Sequence, residues 1–529
     1  MVRHTMLIDL LEQLRDKQRD DIAFIDGDKA ITFEAFGRIC DEATLWLRNQ
    51  GVGPGDRVAV WLVNRVEWLA LFFGLCRLGA TLVTVNTRYK SHEVTYLLEK
   101  SEACLLVLEP SFRKIDFVSI LKSVDATRLP KMRSLAFLNE QNTYPGLQED
   151  WSVSTLCLDG EHDCATVDRQ DRADAPCILF TTSGTTSSPK LVVHTQRTIA
   201  EHSQNVASAY QFTEPGAVLL AALPFCGVYG FNAVLASFTA GQPTVLMDTF
   251  DAQLAAELIR KHKVTHLFGS DEMYARLLDQ VDGNHPFPSA RVFGFAAFNA
   301  GFLQVGREAW ERKVPLYGLY GSSEVQALFS LQNRPMPIDE RLRGGGFPAN
   351  PHVQIRIRDL DTGKLLDAGQ SGAIEIRADT NFAGYLNNPE ATQKAVDDEG
   401  FFHTGDLGYL RDDGSFVYQS RHGDAIRLAG FLVNPSEIED VLKEQTGVRD
   451  AQVVGVEQNG QNRCVAFVIS ENGTGIDEVE LRTRMQDCMA AFKVPVRIWE
   501  IEEFPTTLSS NGVKIQRNKL REMAIERLG

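Results

Sequence analysis

Short apolar runs alternate with helical stretches from residue 57 to residue 320, and this alternation constrains the fold more than any other feature. Arg57-Val58-Ala59-Val60-Trp61-Leu62 reads as a strand. Residues 67–79 form a helix that is apolar nearly all round, which predicts a buried helix. A strand over 80–85 and a helix over 91–100 repeat the unit. Further strands are expected at 177–180, 217–223, 243–247, 265–269, 291–299 and 315–320, with helices at 196–210 and after the strands at 243–247 and 265–269. Strands separated by helices pair in parallel, and the helices cover both faces of the sheet. The predicted class is therefore α/β.

The flanks read differently. Residues 1–24 mix apolar positions with Arg3, Asp9, Glu12, Arg15 and Asp16, as in an amphipathic helix and unlike a signal peptide. An Asp-Gly turn predicts a hairpin over 23–33, followed by a helix over 34–49. Gly51, Gly53 and Gly55 precede a strand and lack a third correctly spaced Gly, so they are no dinucleotide fingerprint. Residues 110–170 carry few signals and read as connecting structure. Residues 344–420 hold turn residues between alternating runs, a β-rich subdomain of hairpins. The tail reads as a small α+β domain, with helices at 435–442 and 477–491 and a strand pair around Asn459-Gly460. A chain of 529 residues exceeds one ordinary core. We expect a large N-terminal domain over 1–422, built of stacked α/β sheets plus the β-rich subdomain, and a small mobile C-terminal domain over 423–529.

Composition excludes some functions. The formal net charge of −16 disfavours a nucleic-acid partner, since a phosphate backbone needs a basic surface. It leaves nucleotide binding open, because one local basic loop suffices. The nine Cys show no CxxC pair and no zinc spacing, so reduced thiols in a cytoplasm are expected. No stretch approaches the roughly 18 apolar residues of a membrane span.

Five stretches carry chemistry. Thr181-Thr182-Ser183-Gly184-Thr185-Thr186-Ser187-Ser188-Pro189-Lys190 follows a short apolar strand. Its hydroxyls and backbone N–H groups can surround an anion, and Lys190 can supply the countercharge. It is not a Walker A loop, because the second Gly and the Lys-Ser/Thr ending are missing. The same composition also makes a plain solvated turn. Phe225, Cys226, Gly227, Tyr229, Gly230 and Phe231 suit an apolar pocket wall, or equally an aromatic core with turns. Tyr320-Gly321-Ser322-Ser323-Glu324 offers a ring, hydroxyls and one hard carboxylate oxygen, although Glu324 alone could be a surface acid. Thr404-Gly405-Asp406, followed by Arg421, and Gly512-Val513-Lys514 near the end complete the set.

In this order and spacing the five stretches resemble the signatures of the adenylate-forming superfamily, in its acyl-CoA synthetase branch. The phosphate loop of that family usually reads Thr-Ser-Gly-Thr-Thr-Gly-x-Pro-Lys-Gly; here Ser187 and Leu191 stand at the usual Gly positions. Cys226 stands where a His is common, Ser323 where Thr is usual, and Ser420 where Gly is usual. The family ending Gly-Lys-x-x-Arg here carries an extra Val513, and the offset from Arg517 selects Lys514.

The resemblance implies ATP-dependent activation of a carboxylic acid to an acyl-AMP, with Mg²⁺ on Glu324, followed by thioester formation with CoA. It implies that residues 181–186 and Lys190 bind the β- and γ-phosphates, and that Ser323 and Lys514 serve the α-phosphate. Ala300 and Gly301 fall beside the adenine, on which Tyr320 stacks. Gly321 and Ser322 belong to the same nucleotide-binding turn. Asp406 accepts the ribose hydroxyls and Arg421 contacts ribose or phosphate. Gly423 falls at the hinge, and Gly430 faces the path of a pantetheine thiol. Phe225–Phe231, Gly269, Phe298 and Gly318 line an acid pocket whose apolar, Gly-rich character suits a fatty or aromatic acid. No carrier-protein domain is fused, which favours free CoA over a separate acyl or peptidyl carrier protein. Another nucleophile, or a non-catalytic nucleotide sensor, would be alternatives, and a homodimer stays open.

Overall fold

The computed structural model describes residues 6–528 apart from 141–143, 145, 148–150, 161–168, 170–171, 183–188, 297–301, 333–334, 425, 429–430, 459–460, 472–474, 490 and 510–511. Side chains of 302–304, 427, 431–432, 461, 487, 508–509 and 512–514 also lie outside the description.

Among the described residues two large sheets dominate, one of thirteen strands and one of eight. The smaller sheet has a parallel centre: Arg57–Trp61 lies between Thr81–Thr84 and Leu105–Leu108, and Pro176–Thr181 joins beside Thr81–Thr84. In the larger sheet, Leu219–Ala221, Thr244–Leu246, His266–Ser270, Val292–Ala296 and Leu316–Ser322 run in parallel register. The helices Val66–Leu78 and Val228–Thr239 share one core with strands of both sheets. In Val66–Leu78 every residue but Glu67 is buried, and in Val228–Thr239 all are buried. A helix apolar all round has no solvent face to offer, so it must sit between two layers. Trp68 is fully buried there, with its ring 5.8 Å from Phe225 and 5.9 Å from Phe231.

One polar residue ties the layers at the carboxyl ends of their strands. The Asn64 amide nitrogen reaches the carbonyls of Leu223 at 2.8 Å and Met247 at 3.1 Å, while its Oδ1 accepts from Phe225 N–H at 2.8 Å. A buried amide is stable only when so satisfied.

Three expectations change. Residues 110–170 are not merely connecting: Ser134–Leu138 and Ser152–Leu156 extend the eight-stranded sheet in parallel. The β-rich stretch is built on to the larger sheet. Gln326–Leu331, Gly345–Pro348 and Phe416–Arg421 continue the thirteen-stranded sheet antiparallel from Leu316–Ser322, and Phe402–Leu410, Gly372–Arg377 and Gln354–Arg358 follow outward. Residues 228–239 are a helix, so only 223–227 form the expected irregular wall.

The tail forms a small α+β unit. Val448–Gln458 and Gln461–Ser470 pair antiparallel, Arg497–Glu500 adds in parallel, and the helices Pro435–Lys443, Glu478–Cys488 and Arg517–Leu528 accompany them. Glu439 is fully buried and accepts from Arg517 and from Val453 N–H, at 2.9 Å and 2.8 Å. Arg517 therefore anchors the segment carrying Lys514 to the body of this unit.

Candidate active site

The phosphate loop spans the gap between two antiparallel strands, Pro176–Thr181 and Leu191–Thr195. Ser183, Gly184, Thr185 and Thr186 lie outside the described residues; the two ends of the loop do not. Thr182 N–H donates to Lys190 O at 3.0 Å, and Lys190 N–H donates to Thr182 Oγ1 at 3.1 Å. Tyr96 Oη donates to Pro189 O at 2.8 Å. The loop is thus pinned at its base, and Thr181, Thr182 and Lys190 are half-buried there.

The 320–324 turn lies against the strand that leaves this loop. His194 is fully buried, and burial lowers its ring to about 4, so it is neutral. Its Nε2 is 2.7 Å from Ser323 O, and a carbonyl partner requires the proton on Nε2. Ser322 Oγ accepts from Glu324 N–H at 3.2 Å and Val325 N–H at 3.3 Å, which folds the turn. A Cβ on Gly321 would lie 2.6 Å from Ala327 Cα, so only Gly lets the turn close on its own strand partner. Glu324 Oε1 accepts from Tyr385 Oη at 2.9 Å, and Lys190 Nζ stands 4.5 Å from the centroid of the same ring.

On the other side of the turn, Tyr320 Oη donates to Asp406 Oδ2. Asp406 is 2% exposed and sits across the strand pair from Arg421. Burial raises its pKa, and the Arg421 guanidinium opposes that rise. Arg421 Nε is 3.0 Å from Asp406 Oδ1 but misaligned for a hydrogen bond, and Oδ1 has no bonded partner. Oδ1 is thus ion-paired with Arg421 but accepts no hydrogen bond, which leaves it acceptor capacity for a ligand donor. The Tyr320 ring packs edge-on against Phe416 at 5.3 Å and is 6% exposed.

The acid-pocket candidates divide. Cys226 and Gly227 lie on the irregular wall, and both are buried. Burial pushes the Cys226 thiol up to about 12, so it stays protonated. Tyr229 Oη reaches toward the Gly269 and Gly294 carbonyls at 3.4 Å and 3.2 Å. Phe225 and Phe231 face Trp68 and belong to the aromatic core, not to a pocket wall. Gly230 is explained by packing: a Cβ there would lie 2.5 Å from both Leu223 O and Pro224 O. Gly318 is likewise explained, since a Cβ would lie 1.9 Å from Arg343 O. Phe298, Ala300, Gly301 and Gly430 lie outside the described residues. Lys514 is in the strand Gly512–Ile515, opposite Thr507, with its side chain outside the description.

Sequence reasoning missed His194 and Tyr385. Both act on partners distant in sequence, so no local pattern marks them. A His closing the apolar run Leu191-Val192-Val193 was the one visible signal.

The chemistry of the site fits a nucleoside triphosphate: Asp406 Oδ1, which accepts no hydrogen bond, suits a ribose hydroxyl, and Lys190 suits a phosphate. Among the described residues no group of three or more His, Cys, Asp or Glu could hold a metal ion. The one carboxylate of Glu324 fits Mg²⁺ that keeps phosphate and water as its other ligands.

Comparison with known proteins agrees with this geometry. The AMP-binding enzyme model matches residues 11–386, and the model of the AMP-binding enzyme C-terminal domain matches 437–511. A putative acyl-CoA synthetase, YngI of Bacillus subtilis, is 28% identical, covering 99% of this chain and 98% of its own. The 3-[(3aS,4S,7aS)-7a-methyl-1,5-dioxo-octahydro-1H-inden-4-yl]propanoyl:CoA ligase of Rhodococcus jostii is 29% identical, covering 94% and 95%. The ATP-bound MatB structure from Rhodopseudomonas palustris superposes with a TM-score of 0.82 at 26% identity, covering 98% and 99%. The chain belongs to the AMP-binding enzyme family, in the acyl-CoA synthetase branch of the adenylate-forming superfamily.

Proposed function

We propose that the protein is an AMP-forming acid–thiol ligase that activates a fatty or aromatic carboxylic acid with ATP and transfers the acyl group to CoA. The observation that carries this reading is the convergence of Lys190, Glu324 and the Asp406–Arg421 pair around one turn, 320–324. Each group meets a different part of ATP: Lys190 the β- and γ-phosphates, Ser323 the α-phosphate, Asp406 the ribose.

In the first step a carboxylate oxygen attacks the α-phosphorus. A new P–O bond forms, the α–β bridge breaks, and pyrophosphate leaves. Glu324 would hold Mg²⁺, which when bound would supply positive charge at the phosphates. Lys190 holds the leaving pyrophosphate, and Lys514 completes the neutralisation at the α-phosphate. The residues act by positioning and by fixed charge. In the second step a thiol sulfur attacks the acyl carbonyl carbon, and AMP leaves with the electron pair.

The C-terminal domain, taken from residue 423, turns about Gly423 between the steps, so that Lys514 withdraws and Gly430 comes to the thiol path. A Gly backbone absorbs large φ/ψ changes readily, which suits a hinge at residue 423. The burial of Cys226, Gly227 and Tyr229 supports an apolar acid. The CoA-ligase names of the relatives support CoA as acceptor. Free thiols at the eight described cysteines support a cytoplasmic location, and no described helix is long and apolar enough to cross a membrane.

The test is incubation with Mg·ATP and a panel of aliphatic and aryl acids, with and without CoA, with products read by mass spectrometry. An acyl-CoA formed only when CoA is present supports the reading and names the acid class. Acyl-AMP and pyrophosphate without a thioester would move the acceptor to a carrier protein or another nucleophile. No nucleotide turnover with any acid would overturn the reading.

A further inference from the structure

Tyr385 sits where the two halves of the phosphate site meet. It belongs to the two-residue strand Gly384–Tyr385, which pairs antiparallel with Leu191–Thr195 and places Tyr385 opposite Val192. Ala383 N–H donates to Val193 O at 2.8 Å and Leu386 N–H to Leu191 O at 2.9 Å, which extends the ladder on both sides. Phe382 N–H donates to Glu324 O at 2.8 Å. One short segment therefore holds the backbone of the strand following Lys190 and the backbone of Glu324 itself.

The side chain repeats this bridge. Its ring faces the Lys190 ammonium, and its hydroxyl donates to the Glu324 carboxylate. Tyr385 is 8% exposed, its N–H is held by Thr392 Oγ1 at 2.9 Å, and its ring packs edge-on to Phe382 at 4.9 Å. Lys190 and Glu324 carry opposite charges on either side of one aromatic ring. Both charges touch one neutral side chain, and an ammonium and a carboxylate that pair with each other have less charge left for a triphosphate and a cation.

We propose that Tyr385 is a positioning residue that keeps Lys190 and Glu324 from neutralising each other, so that each is free for Mg²⁺-nucleotide. The ring gives the ammonium a neutral face to rest on. The hydroxyl tethers the carboxylate without supplying a countercharge. The inference rests on the nucleotide site described above, and it assigns Tyr385 no contact with the reacting atoms.

Calorimetric binding of AMP and of α,β-methylene-ATP, each with and without Mg²⁺, tests the inference without turnover. AMP lacks the β- and γ-phosphates, so it reports on the Asp406 side alone. Tyr385→Phe keeps the ring and removes only the tether. We expect it to bind AMP as the wild type does, to bind Mg²⁺-α,β-methylene-ATP about 5- to 10-fold more weakly, and to lose most of the Mg²⁺-dependent gain. Tyr385→Leu, which also removes the ring, loses more. In a Glu324→Gln background, Tyr385→Phe adds less than about 2-fold, because the tethered charge is already gone. A Tyr385→Phe protein that binds the Mg²⁺ complex within 2-fold of wild type overturns the proposal, as does equal loss toward AMP. If the wild type binds the Mg²⁺ complex and the variant matches it, the nucleotide site stands and only the role of Tyr385 falls. If the wild type binds neither nucleotide, both fall.

Discussion

Asp406→Asn exchanges one buried oxygen for an amide nitrogen at the point where the ribose is expected. Tyr320 already occupies Oδ2, so the variant can turn its remaining oxygen to that hydroxyl and keep a neutral hydrogen bond there. The amide nitrogen then faces Arg421 and the ligand, a donor where an acceptor stood. A hydrogen bond from a ligand hydroxyl to a charged acceptor nets ~1.5–3 kcal/mol. The Arg421 side chain is 53% exposed, so solvent screens its pairing with Asp406 and reduces that share to ~0.5 kcal/mol. The sum, about 2–3.5 kcal/mol, corresponds to ~30- to 400-fold weaker nucleotide binding. Calorimetry with AMP, 2′-deoxy-AMP and 3′-deoxy-AMP separates a ribose contact from a general disturbance. The wild type should penalise each deoxynucleotide, whereas Asp406→Asn should bind all three within about 3-fold of one another, since the acceptor that read the hydroxyls is gone. If the variant binds AMP as tightly as the wild type, or discriminates among the three as the wild type does, the assignment of Asp406 to the ribose is refuted.

Lys514→Ala should slow formation of acyl-AMP by about 100-fold or more while leaving thioester formation from pre-made acyl-AMP within a few-fold, because the charge it supplies is needed only at the α-phosphate; single-turnover assays of the two half-reactions check this, and equal losses in both would remove Lys514 from that role. His194, His202 and His266 are buried, and burial lowers each ring from an ordinary 6.5 to about 4. Above pH 6.5 neither the folded nor the unfolded chain is protonated at these rings. Between pH 6.5 and 4 the unfolded chain takes up protons that the folded chain refuses, so stability falls as pH falls, by about 3 kcal/mol per ring at pH 4. His202→Gln keeps a donor for Ala327 O and removes one of the three, so scanning calorimetry should show a shallower loss of Tm from pH 6.5 to 4.5 than in the wild type; identical slopes would contradict the assignment.

The parallel centre of both sheets was legible because its strands are short apolar runs and its helices have a clear period. Residues 152–156 were missed because Ser152-Val153-Ser154-Thr155-Leu156 presents hydroxyls and an exposed Val153, with no apolar run to mark an edge strand. Phe225 and Phe231 show a different limit. Aromatics interleaved with Gly suit a pocket and a core equally, and only the direction of each ring, toward Trp68, distinguishes them. Gly230 and Gly318 invited a ligand explanation, yet each is required by a neighbouring carbonyl. The charged members of the candidate site, Lys190, Glu324, Asp406 and Arg421, could be proposed from the sequence because each lies in a short contiguous signature. Tyr385 and His194 could not, because they work through strand pairing and cross-layer contacts between segments at least 60 residues apart, a relation the linear pattern does not record.

The central claim is that the acid oxygen itself attacks the α-phosphorus, and an acid labelled with ¹⁸O in its carboxylate tests it most directly. After turnover with Mg·ATP and CoA, the account predicts one ¹⁸O in AMP, none in pyrophosphate, and one retained in the thioester. Label recovered in inorganic phosphate alongside ADP, or AMP formed without any label, would contradict it.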